Sequence, residues 1–336
     1  MKTRIGLDHY TIAHRGQSPG EVLDFARERG LDGVQFLEPA VIDPELGPLK
    51  LEALRDSAAS MGLHLEVGLP SPNPVRRGRE LSRPVSAAEH ARYLESQLEA
   101  IAALGCRHAR AYVGDRHDRF RSDVRWPIQV EATLEVLTLL TPRLRDLDLR
   151  MAIETHADLT VTELLDLLAR LDDRAFGVTL DTGNLPMRLD DPVDAVALLA
   201  PWVLCTHIKD AVLAFTPRGL CWQARPVGSG ILPMTDMLAI LIRSNPHLNL
   251  SIELHPRTYD LPIYDRKWLA YFPDLRPASL AAVVRLAALC EARYAEGSLP
   301  RPAAVEEIPW AHRDLDWLAS SLGYLRSVMS TLEYLS

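Results

Sequence analysis

The chain has 336 residues, 47% of them hydrophobic, and a formal net charge of -8; that is ample for one large core, and an α/β barrel of this length is commonly one domain. The acidic balance, with no basic stripe, excludes binding nucleic acid through its phosphates. Cys106, Cys205, Cys221 and Cys290 form no CxxC pair and read as reduced thiols of a cytoplasmic protein, and the sequence carries no signal peptide and no run suited to spanning a membrane.

In chain order, apolar strand-like segments fall at 5–7, 33–37, 63–68, 108–113, 151–154, 177–180, 203–207 and 250–253. Helical patterns, with apolar residues at i, i+3, i+4 and i+7, follow at 19–29, 50–61, 87–103, 127–144, 162–171, 192–199, 234–242 and 277–295. Strict alternation of strand and helix predicts a parallel sheet covered by helices. Eight repeats fit a closed (β/α)8 TIM barrel over residues 1–295. An open doubly wound sheet would place G-x-G-x-x-G after its first strand, and none is there. Residues 296–336 form a C-terminal helical extension, with an amphipathic helix at 310–332. Such a helix suits a cover for the barrel, or a contact between subunits of a homodimer or homotetramer.

Four of the strands end alike: Met151-Ala-Ile-Glu-Thr-His156, Val178-Thr-Leu-Asp-Thr-Gly-Asn184, Val203-Leu-Cys-Thr-His-Ile-Lys-Asp210 and Leu250-Ser-Ile-Glu-Leu-His255. Barrel active sites lie at the C-terminal ends of the strands, so Glu154, Asp181, His207 and Glu253 are expected to converge there on one divalent ion. A buried charge costs several kcal/mol unless a metal or partner offsets it, which makes four separate buried charges a poor alternative. Two Glu, one Asp and one His form an oxygen-rich set suited to Mn²⁺, with Mg²⁺ or Co²⁺ as substitutes, rather than to structural zinc. Side chains at i and i+2 of a strand share a face, so His156 projects with Glu154, Lys209 with His207, and His255 with Glu253.

At these residues the chain resembles the xylose isomerase-like (β/α)8 superfamily of sugar isomerases and epimerases. The matching motifs are Ile153-Glu-Thr-His156, Leu180-Asp-Thr-Gly-Asn184, Thr206-His-Ile-Lys-Asp210, Ile252-Glu-Leu-His255 and the loop Pro226-Val-Gly-Ser-Gly230. The resemblance covers residues 1–295 and implies one ion held by Glu154, Asp181, His207 and Glu253. It also implies that Glu154 and Glu253 act as an acid/base pair on opposite sides of a sugar or sugar-derived keto compound, isomerised or epimerised through an enediolate. Relatives also include decarboxylases or lyases of 3-oxo sugars and inosose dehydratase, so a lyase is the second reading; a non-catalytic sugar-binding or partner subunit is the third. Two departures bear on this. Asn184 stands where many relatives have His, and Leu213 where ketose 3-epimerases place an Arg.

His156 and Lys209 join the two glutamates as catalytic candidates. Asn184, His255, Trp268 and Glu66 are candidate substrate contacts. In the N-terminal half, Asp8 and Tyr10, Glu38, His64, and Arg110 and Tyr112 are read as packing or ion pairs. The aromatic stretch 259–272, with Tyr259, Tyr264, Trp268, Tyr271 and Phe272, is expected to be a long loop closing over the substrate.

Overall fold

The computed structural model describes residues 3–335. The strands in chain order are β1 (Ile5–Asp8), β2 (Gly33–Phe36), β3 (His64–Gly68), β4 (His108–Ala111), β5 (Arg150–Glu154), β6 (Phe176–Asp181), β7 (Val203–His207), β8 (Asp210–Thr216), β9 (Gly219–Arg225), β10 (Leu250–Ile252) and β11 (Thr258–Leu261). Eight of them form one parallel sheet in the order β10-β1-β2-β3-β4-β5-β6-β7. Ile208, just past β7, bridges Ile252 in parallel and donates its N–H to the Ser251 carbonyl at 2.7 Å, which closes the ring. The architecture is therefore the expected TIM barrel. Its strands are buried on both faces, which is why they read as continuous apolar runs.

Helix starts obey local chemistry. Ser18 and Thr160 each accept a bond from the backbone three residues on, while Glu21 and Glu163 return one to the cap. These caps set where the chain leaves the mouth loops and turns down the outside of the barrel.

Two features depart from the sequence reading, and a third matches one of the two roles it left open. First, the stretch between the seventh strand and the loop at 226–230 is a hairpin. β8 and β9 pair antiparallel, and β11 adds to β9 to make a separate three-stranded sheet. Gly219 makes the turn with φ 147°, and a side chain there would lie 2.3 Å from the Leu261 carbonyl. Second, the segment expected as one long irregular loop is ordered by that pairing at β11 and then by a short helix, Arg266–Leu269. Third, the C-terminal tail is packed into the barrel. Its helix Asp314–Leu335 lies against β10 and puts Leu318, Leu322, Leu325 and Met329 into the common core. Buried Asp314 takes Arg15 at 2.7 and 2.8 Å. The helix Pro277–Ala295 instead covers the hairpin, where Tyr294 donates to the Leu213 carbonyl at 3.1 Å. Leu213 is thus wholly buried beneath a helix and faces no cleft. Among the described residues no helix is long and apolar enough to cross a membrane.

Candidate active site

The mouth of the barrel holds a cleft of 470 Å³ whose lining includes Tyr10, Arg110, His156, Asn184, Lys209, Glu253 and His255. β5 ends in Glu154, β6 in Asp181 and β7 in His207, all three fully buried. One donor atom from each lies within 4.8 Å of the others. Glu253 follows β10 and stands beside them, with Oε2 3.6 Å from His207 Nδ1. The other face of the imidazole matters equally. Nδ1 lies 3.2 Å from Glu154 Oε1, while Nε2 lies 3.1 Å from Asp8 Oδ2 and in hydrogen-bond contact with Gln35 Oε1. The ring thus offers one nitrogen to the carboxylates and has acceptors for an N–H on the other, as metal-ligating histidines do.

The support runs deeper. Gln35 Nε2 donates to Glu66 at 3.0 Å, and Asn249 Nδ2 donates to the other Glu66 oxygen at 3.0 Å. Glu66 so fixes the Gln35 amide with its oxygen toward His207. This corrects the expectation that Glu66 touches substrate. It sits mid-strand in β3 toward the N-terminal ends of the strands, and it does not line the cleft.

Two buried cations meet the carboxylates. Arg110, at the end of β4, donates through Nε to Glu154 Oε2 at 2.7 Å. Lys209 lies between Asp181 Oδ2, at 2.8 Å, and Glu253 Oε2, which it contacts directly. Its stem passes over Gly183, where any Cβ would lie 2.4 Å from the Lys209 Cγ. Asp181 also accepts Asn184 Nδ2 at 2.6 Å and the Gly183 N–H at 3.0 Å. His255 holds Nδ1 against the Pro256 carbonyl at 3.0 Å and turns Nε2 to Lys209 at 3.4 Å. His156 holds Nδ1 against the Gly114 carbonyl at 2.9 Å beneath the Tyr112 ring.

The electrostatics follow from this crowding. Burial alone would push Glu154 up, yet Arg110 and His207 override it and hold the carboxyl well below the usual range. Glu253 is likewise held well below by Lys209 and His207, against burial. Burial pushes Asp181 up to about 7, against the pull of Lys209 and with added repulsion from Glu253 and Glu154. His207 is raised to about 10, because Glu253 and Glu154 outweigh its burial. Burial and the Lys209 ammonium depress His255 to about 4, so it is neutral at pH 7. Three buried carboxylates around one imidazole form an electron-rich pocket that fits a divalent ion.

Of the sequence candidates, Glu154, Asp181, His207, Glu253, Lys209, Asn184 and His255 come together, with His156 on the cleft wall. Trp268 does not. It packs on Phe120 and Phe272, with ring centroids 5.6 and 4.7 Å away, and borders a neighbouring pocket. The reason is the β9–β11 pairing, which puts Tyr259 rather than Trp268 into the cleft wall. Sequence reading passed over Asp8, Gln35 and Arg110 as site members. Two of them left a signal: Asp8 closes the apolar run of β1, and Arg110 is the lone Arg in a strand otherwise of His and Ala.

A closed parallel barrel with acidic and imidazole side chains gathered at the ends of its strands defines a class. The model of the xylose isomerase-like TIM barrel family matches residues 23–271, and the chain belongs to that family. It is 28% identical over 250 residues to 3-oxo-isoapionate decarboxylase of Pectobacterium atrosepticum, covering 72% of this chain and 81% of that one. Solved structures share the fold. A D-psicose 3-epimerase aligns at TM-score 0.59 and 19% identity, covering 88% of this chain and 99% of the other. The 3-keto-D-glucoside 4-epimerase YcjR of E. coli aligns at TM-score 0.59 and 17% identity, covering 84% and all of the other chain.

Proposed function

We propose that the protein is a divalent-metal-dependent decarboxylase of a 3-oxo sugar acid. The observation that carries this reading is the buried pair between Arg110 and Glu154. An epimerase needs one carboxylate to take a proton from carbon and another to return it. A carboxylate clamped by a guanidinium is a weak base and a poor donor. Decarboxylation needs no such base. The bond between C1 and C2 breaks, CO₂ leaves, and its electron pair passes through C2 to the ketone oxygen on C3. One proton then returns to C2.

The chain's own groups suit these steps. Arg110 keeps Glu154 ionised and fixed in place. Among the described residues Lys209 is the one lysine lining the cleft, and it is the donor assigned to C2. Asn184 and His255 orient the substrate hydroxyls. A divalent ion held by Glu154, Asp181, His207 and Glu253, with Mn²⁺ favoured and Mg²⁺ or Co²⁺ as substitutes, supplies Lewis-acid stabilisation for charge building on the ketone oxygen. The sequence relative named as a 3-oxo-isoapionate decarboxylase supports the same reaction class.

Sugar epimerisation or isomerisation, the first reading of the sequence, is the second here. It is favoured by the approach of both Glu154 and Glu253 to the same nitrogen of His207. One experiment separates the two. The protein with Mn²⁺ is incubated in D₂O with a panel of 3-oxo sugar acids and of neutral ketoses. CO₂ release is expected, with one deuterium on the product carbon that was C2 of the acid. Deuterium entering a recovered ketose, with no CO₂ from any acid, would overturn the decarboxylase reading in favour of the epimerase.

A further inference from the structure

The residue at 257 is an arginine in a backbone conformation suited to glycine. Its φ is 126°, a region that L side chains enter only under strain. Its guanidinium lines the outer part of the cleft and donates to the Tyr10 hydroxyl at 2.7 Å. Arg116 lines the same cleft, and its guanidinium lies 5.0 Å from the centre of the Tyr259 ring. Both arginines are exposed. Among the described residues, neither has a carboxylate within ion-pair distance.

The carboxylates of the same cleft are all engaged. Asp8 faces His207, Asp115 takes Arg76 at 3.0 Å, and Glu253 takes Lys209. The two rim cations are therefore not neutralised from within, in a chain whose net charge is -8. A solvated surface would account for Arg116 alone. It does not account for Arg257, where the backbone would relax if the side chain were removed. A strained side chain kept at a cleft mouth, with its donors turned to that cleft, is the pattern of a ligand contact.

We propose that Arg116 and Arg257 form a clamp for the carboxylate of an open-chain sugar acid, placing its keto end inward at Glu154, Asp181 and His207. This rests on the decarboxylase reading for the identity of the reaction, but not for the recognition of the anion. The clamp makes charge the basis of substrate choice: acids enter oriented, and neutral sugars of equal length bind without the outer anchor. Guanidinium pairs with carboxylates in a planar fork, so both arginines can serve one carboxylate.

The test is binding, read by titration calorimetry on the full chain with Mn²⁺, with L-threonate and its neutral counterpart L-threitol as probes. L-Threonate is expected to bind at least about tenfold more tightly, the value of one charge-assisted hydrogen bond. R116Q and R257Q should each remove most of that preference while leaving L-threitol binding unchanged. R257G adds a second readout: it should lose threonate affinity like R257Q, with a melting temperature equal to or above that of R257Q. Equal binding of the two probes, no threonate binding, or a preference that survives both Gln variants would overturn the clamp. Arginine-dependent threonate binding in a protein that releases no CO₂ from any 3-oxo sugar acid would sustain the clamp and overturn the reaction.

Discussion

β5, β6, β7 and the residue after β10 carry the groups that face one another at the barrel mouth. β1 to β4 carry the groups that hold them: Asp8, Gln35, Glu66 and Arg110. The two halves of the ring differ in electrostatic logic. In the first, like charges crowd together, and burial holds Asp181 up near 7. In the second, each polar group is matched to complementary partners, as Arg110 is to Glu154 and Gln35 to Glu66 and His207. The difference teaches that the crowded half is built for a ligand, and that the matched half makes the crowding tolerable.

Breaking the crowded half should cost function and spare the fold. Asp181→Asn is expected to lower turnover by about a thousandfold or more, since Lewis-acid stabilisation is worth several kcal/mol. Mn²⁺ affinity should fall with it in calorimetry, while stability to urea at pH 8 stays equal or rises, because a carboxyl whose burial opposes ionisation has been removed. A large loss of stability would mean that the crowded half is structural after all.

Breaking the one ion pair that joins the matched half to the crowded one should cost the fold. Arg110→Met leaves Glu154 buried without its cation and is expected to destabilise the fold by about 3–5 kcal/mol in urea denaturation. Arg110→Lys, which keeps the charge, should recover part of this. If Arg110→Met were as stable as the wild type, the contrast between the halves would collapse.

A smaller and sharper effect is expected at Gln35. Gln35→Met removes an acceptor beside His207 Nε2 but leaves Asp8 in place. Mn²⁺ affinity should drop by about 10–100-fold with little change in stability. Unchanged affinity in calorimetry would assign the orientation of the ring to Asp8 alone.

The same contrast explains what was legible in the sequence. Glu154, Asp181 and His207 each end an apolar run, and Glu253 directly follows one, so their place at the mouth follows from strand periodicity alone. Asp8 ends an apolar run as they do, but Gln35 and Arg110 have no such pattern, and the role of all three depends on which strand lies next to them in the closed ring. Glu66 was misplaced for a related reason. Alternation tells which face a side chain takes but not how deep in the barrel it lies. Trp268 was misplaced because an aromatic residue in a loop fits a cleft wall and a packing cluster equally well. The β8–β9 hairpin escaped because both of its faces are buried, which removes the polar alternation that marks an exposed hairpin.

That hairpin leaves and rejoins the barrel at one point. Asp210 pairs in register with Arg225, and the Asp210 carboxylate accepts the N–H groups of Gly230 at 2.9 Å and Leu232 at 3.0 Å. The chain is thus knotted off by a single side chain before it enters the next helix. Beyond that tie the hairpin is a cassette outside the parallel ring, paired to β11 and covered by the helix Pro277–Ala295. The cassette contributes Trp222, whose indole donates to the Gly183 carbonyl at 2.8 Å and whose ring lies 5.9 Å from His255. The hairpin thus reaches the cleft wall from outside the parallel ring, whose strands keep their own register beneath it.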